Sequence, residues 1–306
     1  MKSMPPHFGS AARAIVFALT LLIHPLGANA GPPFQTDDPE PVDLGHYEFY
    51  VFSTRDSTPI ETDITGPGFE FNWGALPNTQ FHLVMGFGAA TPSNDPIYAP
   101  AGEGLSHYGF LDTEIGIKYR FIQQTKTMPE VGTFPLVEVP TGSYSRGLGV
   151  GKTWYKLPIW IQKDFGPWTT YGGGGYQVVR QTDYKNFAYA GWLLQRDIGE
   201  KWTLGGEVWH HGAEGLATAQ TRSATMIDIG GYHYFRKPGF QLLFCVGHTA
   251  VGQSETYAYL GLYWTWGGKG EGGKPEEPVN PGSAAAFGPG AWSQAQRTMM
   301  SEAQYQ

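Results

Sequence analysis

Between Leu111 and Phe121 the chain changes character at every residue. Leu111, Thr113, Ile115, Ile117, Tyr119 and Phe121 share one parity, while Asp112, Glu114, Gly116, Lys118 and Arg120 share the other. Successive side chains of a β-strand point to opposite faces, so the alternation predicts a strand with one apolar and one charged face. The pattern returns at Phe69–Trp73, Phe81–Gly88, Lys201–Val208 and Tyr257–Trp266. Phe187–Ile198 is apolar on both faces, which leaves its orientation open. Twelve strands are predicted, at about 44–53, 68–75, 79–89, 110–122, 131–141, 153–165, 167–179, 186–199, 201–212, 222–235, 239–249 and 255–266. Most have the length a tilted strand needs to cross a bilayer, about nine to eleven residues or a little more.

The links between these segments alternate in length. Long ones are expected at Thr54–Pro67, Ala90–Gly109, Gly142–Lys152, Arg180–Lys185, Gly212–Thr221 and Ala250–Ser254. Short ones are expected at Leu76–Asn78, Gln123–Glu130, Gly166–Pro167, Glu200 and Arg236–Pro238. Barrels of the outer membrane sort their links this way, with long external loops and short periplasmic turns, whereas a soluble sandwich has no reason to. The predicted fold is therefore all-β, a transmembrane antiparallel up-and-down β-barrel of about twelve strands. An even count puts both ends of the wall on the periplasmic side. Trp73, Trp154, Trp168, Trp202, Trp264 and Trp266 fall at or near predicted strand ends, where an interfacial girdle is expected.

Composition supports this picture. Charged residues make up only 15% of the chain, aromatics 15%, and Gly numbers 43. Sparse charge with many aromatics argues against disorder, and abundant Gly argues against helices. The first thirty residues read as an address: Lys2 and Arg13, an apolar run Ala14–Ile23, and a cleavage site Ala28-Asn29-Ala30. That run is half the length of a spanning helix, which needs about twenty residues. The expected organisation is a signal peptide at 1–30, a periplasmic N-terminal segment at 31–43, a barrel at 44–266 in the cell outer membrane, and a disordered periplasmic tail at 267–306. The tail begins with a Gly, Lys and Glu rich run that has no apolar period.

Candidate chemistry is thin. Cys245 is the single cysteine, which excludes an internal disulfide and reads as a small apolar side chain in a strand. Gly147–Thr153 imitates a phosphate loop, but Arg146 stands where the first Gly is required and a strand pattern follows instead of a helix. His210 and His211 are adjacent, so they point to opposite faces and cannot clasp one metal together. Ser106-His107 is the nearest approach to a catalytic pair, and adjacent residues do not make a triad. The expectation is a protein that is no enzyme, with no catalytic residue, cofactor or metal centre. The net charge of −7 gives no reason to expect nucleic acid as a partner. Expected partners are outer-membrane lipid, the secretion and barrel-assembly machinery, and a small-molecule solute.

The charged parity carries the functional reading. A Lys or Arg facing lipid costs roughly 2–4 kcal/mol at the bilayer midplane. Glu48, Glu70, Asp112, Glu114, Lys118, Arg120, Glu138, Lys156, Glu207 and Asp228 must therefore face the lumen, where with Tyr257 and Tyr259 they are the candidate solute-binding residues. About eight strands are just filled by side chains and sixteen to eighteen leave an aqueous channel, so twelve predict a narrow pore or a ligand-sized pocket. Tyr171-Gly-Gly-Gly-Gly-Tyr176 reads first as a bend in the wall, and second as room for a solute or an inward-folded loop.

Gly31–Tyr50 (GPPFQTDDPEPVDLGHYEFY) resembles the mature start of the family labelled MetA-pathway of phenol degradation. Pro140-Thr141-Gly142, Trp160–Trp168 and Tyr171–Tyr176 are similar to that family's middle. The resemblance implies an outer-membrane channel or transporter for small solutes, aromatic or apolar ones among them. Barrels usually end on an aromatic residue read by the assembly machinery; this chain departs from that pattern with Gln306, and Trp264-Thr265-Trp266 is the internal equivalent expected. The alternative is a non-conducting structural or enzymatic barrel with a plugged lumen.

Overall fold

The computed structural model describes residues 32–93, 106–180, 184–215, 217, 221–236 and 239–268. The expected signal peptide, nearly all of the expected tail and the middle of the 90–109 link lie outside the described residues. Twelve antiparallel strands form a closed barrel. They are β1 (His46–Ser57), β2 (Glu61–Leu76), β3 (Thr79–Pro92), β4 in two halves (His107–Phe110 and Thr113–Ile122) and β5 in two halves (Glu130–Thr133 and Leu136–Val139). Then follow β6 (Trp154–Phe165), β7 (Trp168–Val179), β8 (Phe187–Ile198), β9 (Trp202–His211), β10 (Ala224–Arg236), β11 (Phe240–Gly252) and β12 (Thr256–Gly267). Each strand pairs with its sequence neighbours. β12 closes on β1 with Tyr263 opposite Tyr50 and Trp266 opposite Tyr47. Closure leaves no edge, which satisfies the backbone where no water is available to do so. The interruptions stay bonded: Leu111 N–H donates to Gly86 O (2.9 Å) and Ile117 N–H to Pro135 O (3.2 Å).

The wall is inside-out relative to a soluble protein. Ile227, Ile229, Val246 and Leu260 are each more than half exposed, whereas Asp228, between the first two, is fully buried. Glu70, Asn72, His82, Lys118, Gln162, Gln195, Glu207 and Gln241 are buried as well. Apolar area prefers to leave water at about 25 cal/mol per Å², so such an outer surface belongs in lipid. Among the described residues no helix is long and apolar enough to cross a membrane.

Three expectations are corrected. The long link placed at Ala250–Ser254 is a turn of three residues, because β11 runs on to Gly252 and β12 begins at Thr256. The link placed at Thr54–Pro67 is mostly strand: β1 and β2 continue to a turn of only three residues, with Ser57 opposite Thr62. The extension is polar (Thr54, Arg55, Asp56, Glu61, Thr62, Asp63), so no apolar period marks it, although its ladder is intact. Trp154 is not in an outer girdle. It is buried on the inner face, with the Lys156 ammonium 5.1 Å from its ring centroid. Trp73, Trp202 and Trp266 are exposed as a girdle requires, and Tyr47 stacks between the rings of Trp73 and Trp266.

The glycine run lies inside β7. A Cβ at Gly173 would collide with the backbone oxygen of Ile159 and with the Trp160 ring, and its φ of +153° is unsuited to L side chains. The ladder runs through the glycines without a bulge, and the space they leave is taken by Trp160 and by Tyr189, whose hydroxyl lies over Gly175. Gly173→Val is expected to cost on the order of 3 kcal/mol through strain and overpacking. The folded, heat-modifiable band should then be largely lost on unheated gels. Wild-type mobility and yield would refute this account of the run.

Candidate functional site

The lumen is entered by the chain's own N-terminal segment. Residues 32–43, expected as a leader outside the wall, lie against its inner face. Asp43 and Gly45 sit at the short-turn end, where Gly45 N–H donates to Gly74 O (2.8 Å) and Val42 N–H donates to Gln80 Oε1 (3.0 Å). Further in, Gln162 Nε2 donates to Glu40 Oε2 (3.3 Å). Lys118 Nζ donates to Asp37 Oδ1 (2.8 Å) and Asp38 Oδ2 (3.1 Å). Gln35 N–H and Thr36 N–H donate to the two oxygens of Glu207 (3.3 and 2.8 Å). Phe34 joins a buried cluster with Tyr50, Tyr171, Leu193, Tyr232, Leu243 and Tyr259. Thr36 and Asp38 are wholly buried.

The wall is built to receive the segment. Thr36 lies so close over Gly191 that a Cβ there would overlap its hydroxyl. Glycine allows this approach because it has no side chain to displace. A buried lysine needs a counter-charge, and the segment supplies two to Lys118. Sequence periodicity missed Phe34, Thr36, Asp37, Asp38 and Glu40, because an irregular segment has no period. The signal available was the charged inner face itself, whose lysine has no acidic partner beside it on β4.

The twelve residues expected to face the lumen are placed as follows. Glu48 accepts from Tyr263 (2.7 Å) and Tyr50 (3.1 Å). Glu70 accepts from Asn72 (2.9 Å), and Glu114 faces His82 Nε2 at 3.1 Å. His82 Nδ1 meets Asn72 Oδ1 at 2.7 Å, so both ring nitrogens face acceptors and the ring is an imidazolium when both bonds are made. Arg120 pairs with Glu130 (3.2 Å) and Asn78 near the short turns. Asp112 turns to the long-loop end and accepts from Gly142 N–H (2.8 Å) and Val150 N–H (2.9 Å), which fixes the 140–153 loop. Glu138 lies on the same side. Glu207 and Asp228 are buried, Glu207 under the N-terminal segment. Lys156, Tyr257 and Tyr259 border open space. His82, Asn72 and Gln162 are polar lumen residues that the charge pattern did not single out.

Two cavities remain beside the segment. One, of about 640 Å³, runs from Val42, Asp43 and Gln80 upward past Phe134, Trp160, Tyr189, Tyr257 and Tyr259. The other, of about 610 Å³, lies under the long loops between Asp56, Asp63, Asp112, Leu148 and Glu214. Phe52, Thr65, Val84 and Glu114 line both, so the two abut. Carboxylates outnumber lysines in each lining: Asp37, Glu40, Asp43, Glu48, Glu70 and Glu114 face Lys118 and Lys156 in the first.

The fold is shared with known barrels. The chain is similar in structure to an outer-membrane channel from Pseudomonas putida F1, with a TM-score of 0.64 at 15% identity, covering 78% of this chain and 100% of that one. It is also similar to the translocator domain of the autotransporter NalP from Neisseria meningitidis, with a TM-score of 0.50 at 12% identity over 83% of this chain and 96% of that domain. No family model matches the chain, and no curated protein matches it.

Proposed function

We propose that this barrel is a narrow outer-membrane channel for small solutes, in which the N-terminal segment restricts the lumen. The observation that carries the reading is the pair of abutting cavities, together running from the long-loop end to the short-turn end along one side of the segment. Their surplus of carboxylates attracts cations and repels anions in a low-dielectric channel. The rings of Phe52, Phe134, Trp160, Tyr257 and Tyr259 offer flat apolar area, which suits small aromatic or partly apolar solutes. The resemblance to the MetA-pathway of phenol degradation family points the same way, and so does the likeness in fold to the outer-membrane channel of P. putida F1. In this reading the short-turn end is periplasmic and the protein has no catalytic role.

A second reading has its own observation. The segment is pinned at Glu207, Lys118 and Gln162 and buries Phe34, Thr36 and Asp38, as a permanent plug would. Reconstitution separates the two. The channel reading expects small single-channel steps in planar bilayers, a reversal potential of cation-selective sign in a salt gradient, and liposome swelling with small solutes only. Absence of both current steps and swelling would establish the plug.

A further inference from the structure

At the long-loop end, away from the N-terminal segment, three side chains from the β9–β10 and β11–β12 connections converge. His211 ends β9, Glu214 follows in the β9–β10 loop, and Glu255 ends the β11–β12 turn. One donor atom from each lies within 4.8 Å of the others. His211 and Glu255 are buried and Glu214 is partly exposed.

The imidazole is oriented as a ligand. Its Nδ1 meets Gly212 O at 2.9 Å, and a carbonyl can only accept, so Nδ1 carries the proton. Nε2 then faces Glu255 Oε2 at 2.9 Å. Two lone pairs at that distance repel unless a positive charge lies between them, either a proton or a metal. Metal-bound histidines characteristically donate their other ring N–H to a carbonyl or carboxylate. Ligand atoms held at about 2.1 Å from one tetrahedral cation stand about 3.4 Å apart, so Nε2 and Oε2 have to part by only about 0.5 Å to admit one. Glu214 Oε1 lies 3.8 Å from Nδ1, so its partly exposed side chain has to swing toward Nε2 to complete the site.

The surroundings also call for a cation. Asp56 on β1 is near enough to feel the charges of Glu255, Glu214, Asp63 and His211, and its Oδ1 is enclosed without a hydrogen-bond partner.

We infer that His211, Glu214 and Glu255 form a binding site for a divalent cation of borderline softness, Zn²⁺ in preference to Ca²⁺ or Mg²⁺. One imidazole with two carboxylates suits first-row transition ions, whereas all-oxygen cages suit calcium and magnesium. Such a cation ties the β9–β10 loop to the β11–β12 turn at the barrel mouth. The site stands whether or not the lumen conducts.

The test uses the full-length protein, folded in detergent and stripped with a chelator. Titration with Co²⁺ is expected to give a saturable d–d absorption at one ion per barrel, abolished by Zn²⁺ and unaffected by excess Ca²⁺. Glu214→Gln, on a partly exposed loop where folding is not at stake, should weaken binding at least about tenfold. His211→Ala should remove the absorption, with heat-modifiable mobility checked to show a folded barrel. No saturable Co²⁺ absorption in the wild type, or equal affinity in Glu214→Gln, overturns the site.

Discussion

A chain lacking residues 32–41, with the cleavage site at Ala28–Ala30 kept, is expected to form the same barrel and to conduct at least roughly threefold more than the full chain in planar bilayers. Twelve strands enclose a lumen wider than the eight-strand barrels that side chains alone fill. In this protein the difference is taken up by the segment: Phe34, Thr36 and Asp38 occupy the centre, and Asp37 and Glu40 reach to β4 and β6. The wall does not need them, because its ladder closes through β1 and β12 without any residue before His46. Folding and opening are thus separable. Swelling rates for solutes just above the wild-type size limit provide the check, and unchanged conductance with a folded barrel would show that the loops, not the segment, set the constriction. Gly191→Val should act in the same direction, since its side chain claims the volume of Thr36.

Lys118→Met is expected to release the segment without removing it. Lys118 and Asp38 are both buried, and the ammonium bonds both Asp37 and Asp38. Loss of one partner strands a buried charge, at a cost of about 3–5 kcal/mol. Since about 1.4 kcal/mol is a factor of ten, docking should weaken by roughly a hundredfold or more. A protease added from the short-turn side should then cut within residues 32–43, where the wild type resists, and conductance should rise. Combining Lys118→Met with Asp37→Asn and Asp38→Asn removes the stranded charges and should recover much of the protection. Full protection in the single variant would mean that Glu207, Gln162 and the Phe34 cluster hold the segment by themselves.

These expectations depend on parts of the molecule that were legible to different degrees. The faces of β4 were readable residue by residue: Glu114 and Lys118 face inward and Ile117, Tyr119 and Phe121 outward, because lipid tolerates no charge and the strand period is two. β8 was not readable. Its inward residues Phe187, Tyr189, Gly191 and Leu193 are as apolar as its outward Trp192 and Leu194. The reason lies inside the lumen, where Thr36 covers Gly191 and Trp209 of the neighbouring β9 packs on Tyr189, so part of this inner face meets other side chains of the chain. The His211 cluster escaped as well: His211 ends β9 while Glu214 and Glu255 stand in two different links, at a spacing that follows no metal motif.

The amino-acid sequence by itself determined much of the wall: twelve strands, the inner and outer faces of those that alternate, and many of the links between them. Those properties follow from local rules, the strand period and the cost of charge in lipid, which act on each residue through its immediate neighbours. Only the tertiary structure decided what fills the wall. The bonds that do so join Thr36 to Glu207, Asp38 to Lys118 and Asp112 to Val150. Such partners meet only once the barrel has closed, and no periodicity along the chain records a contact across its lumen.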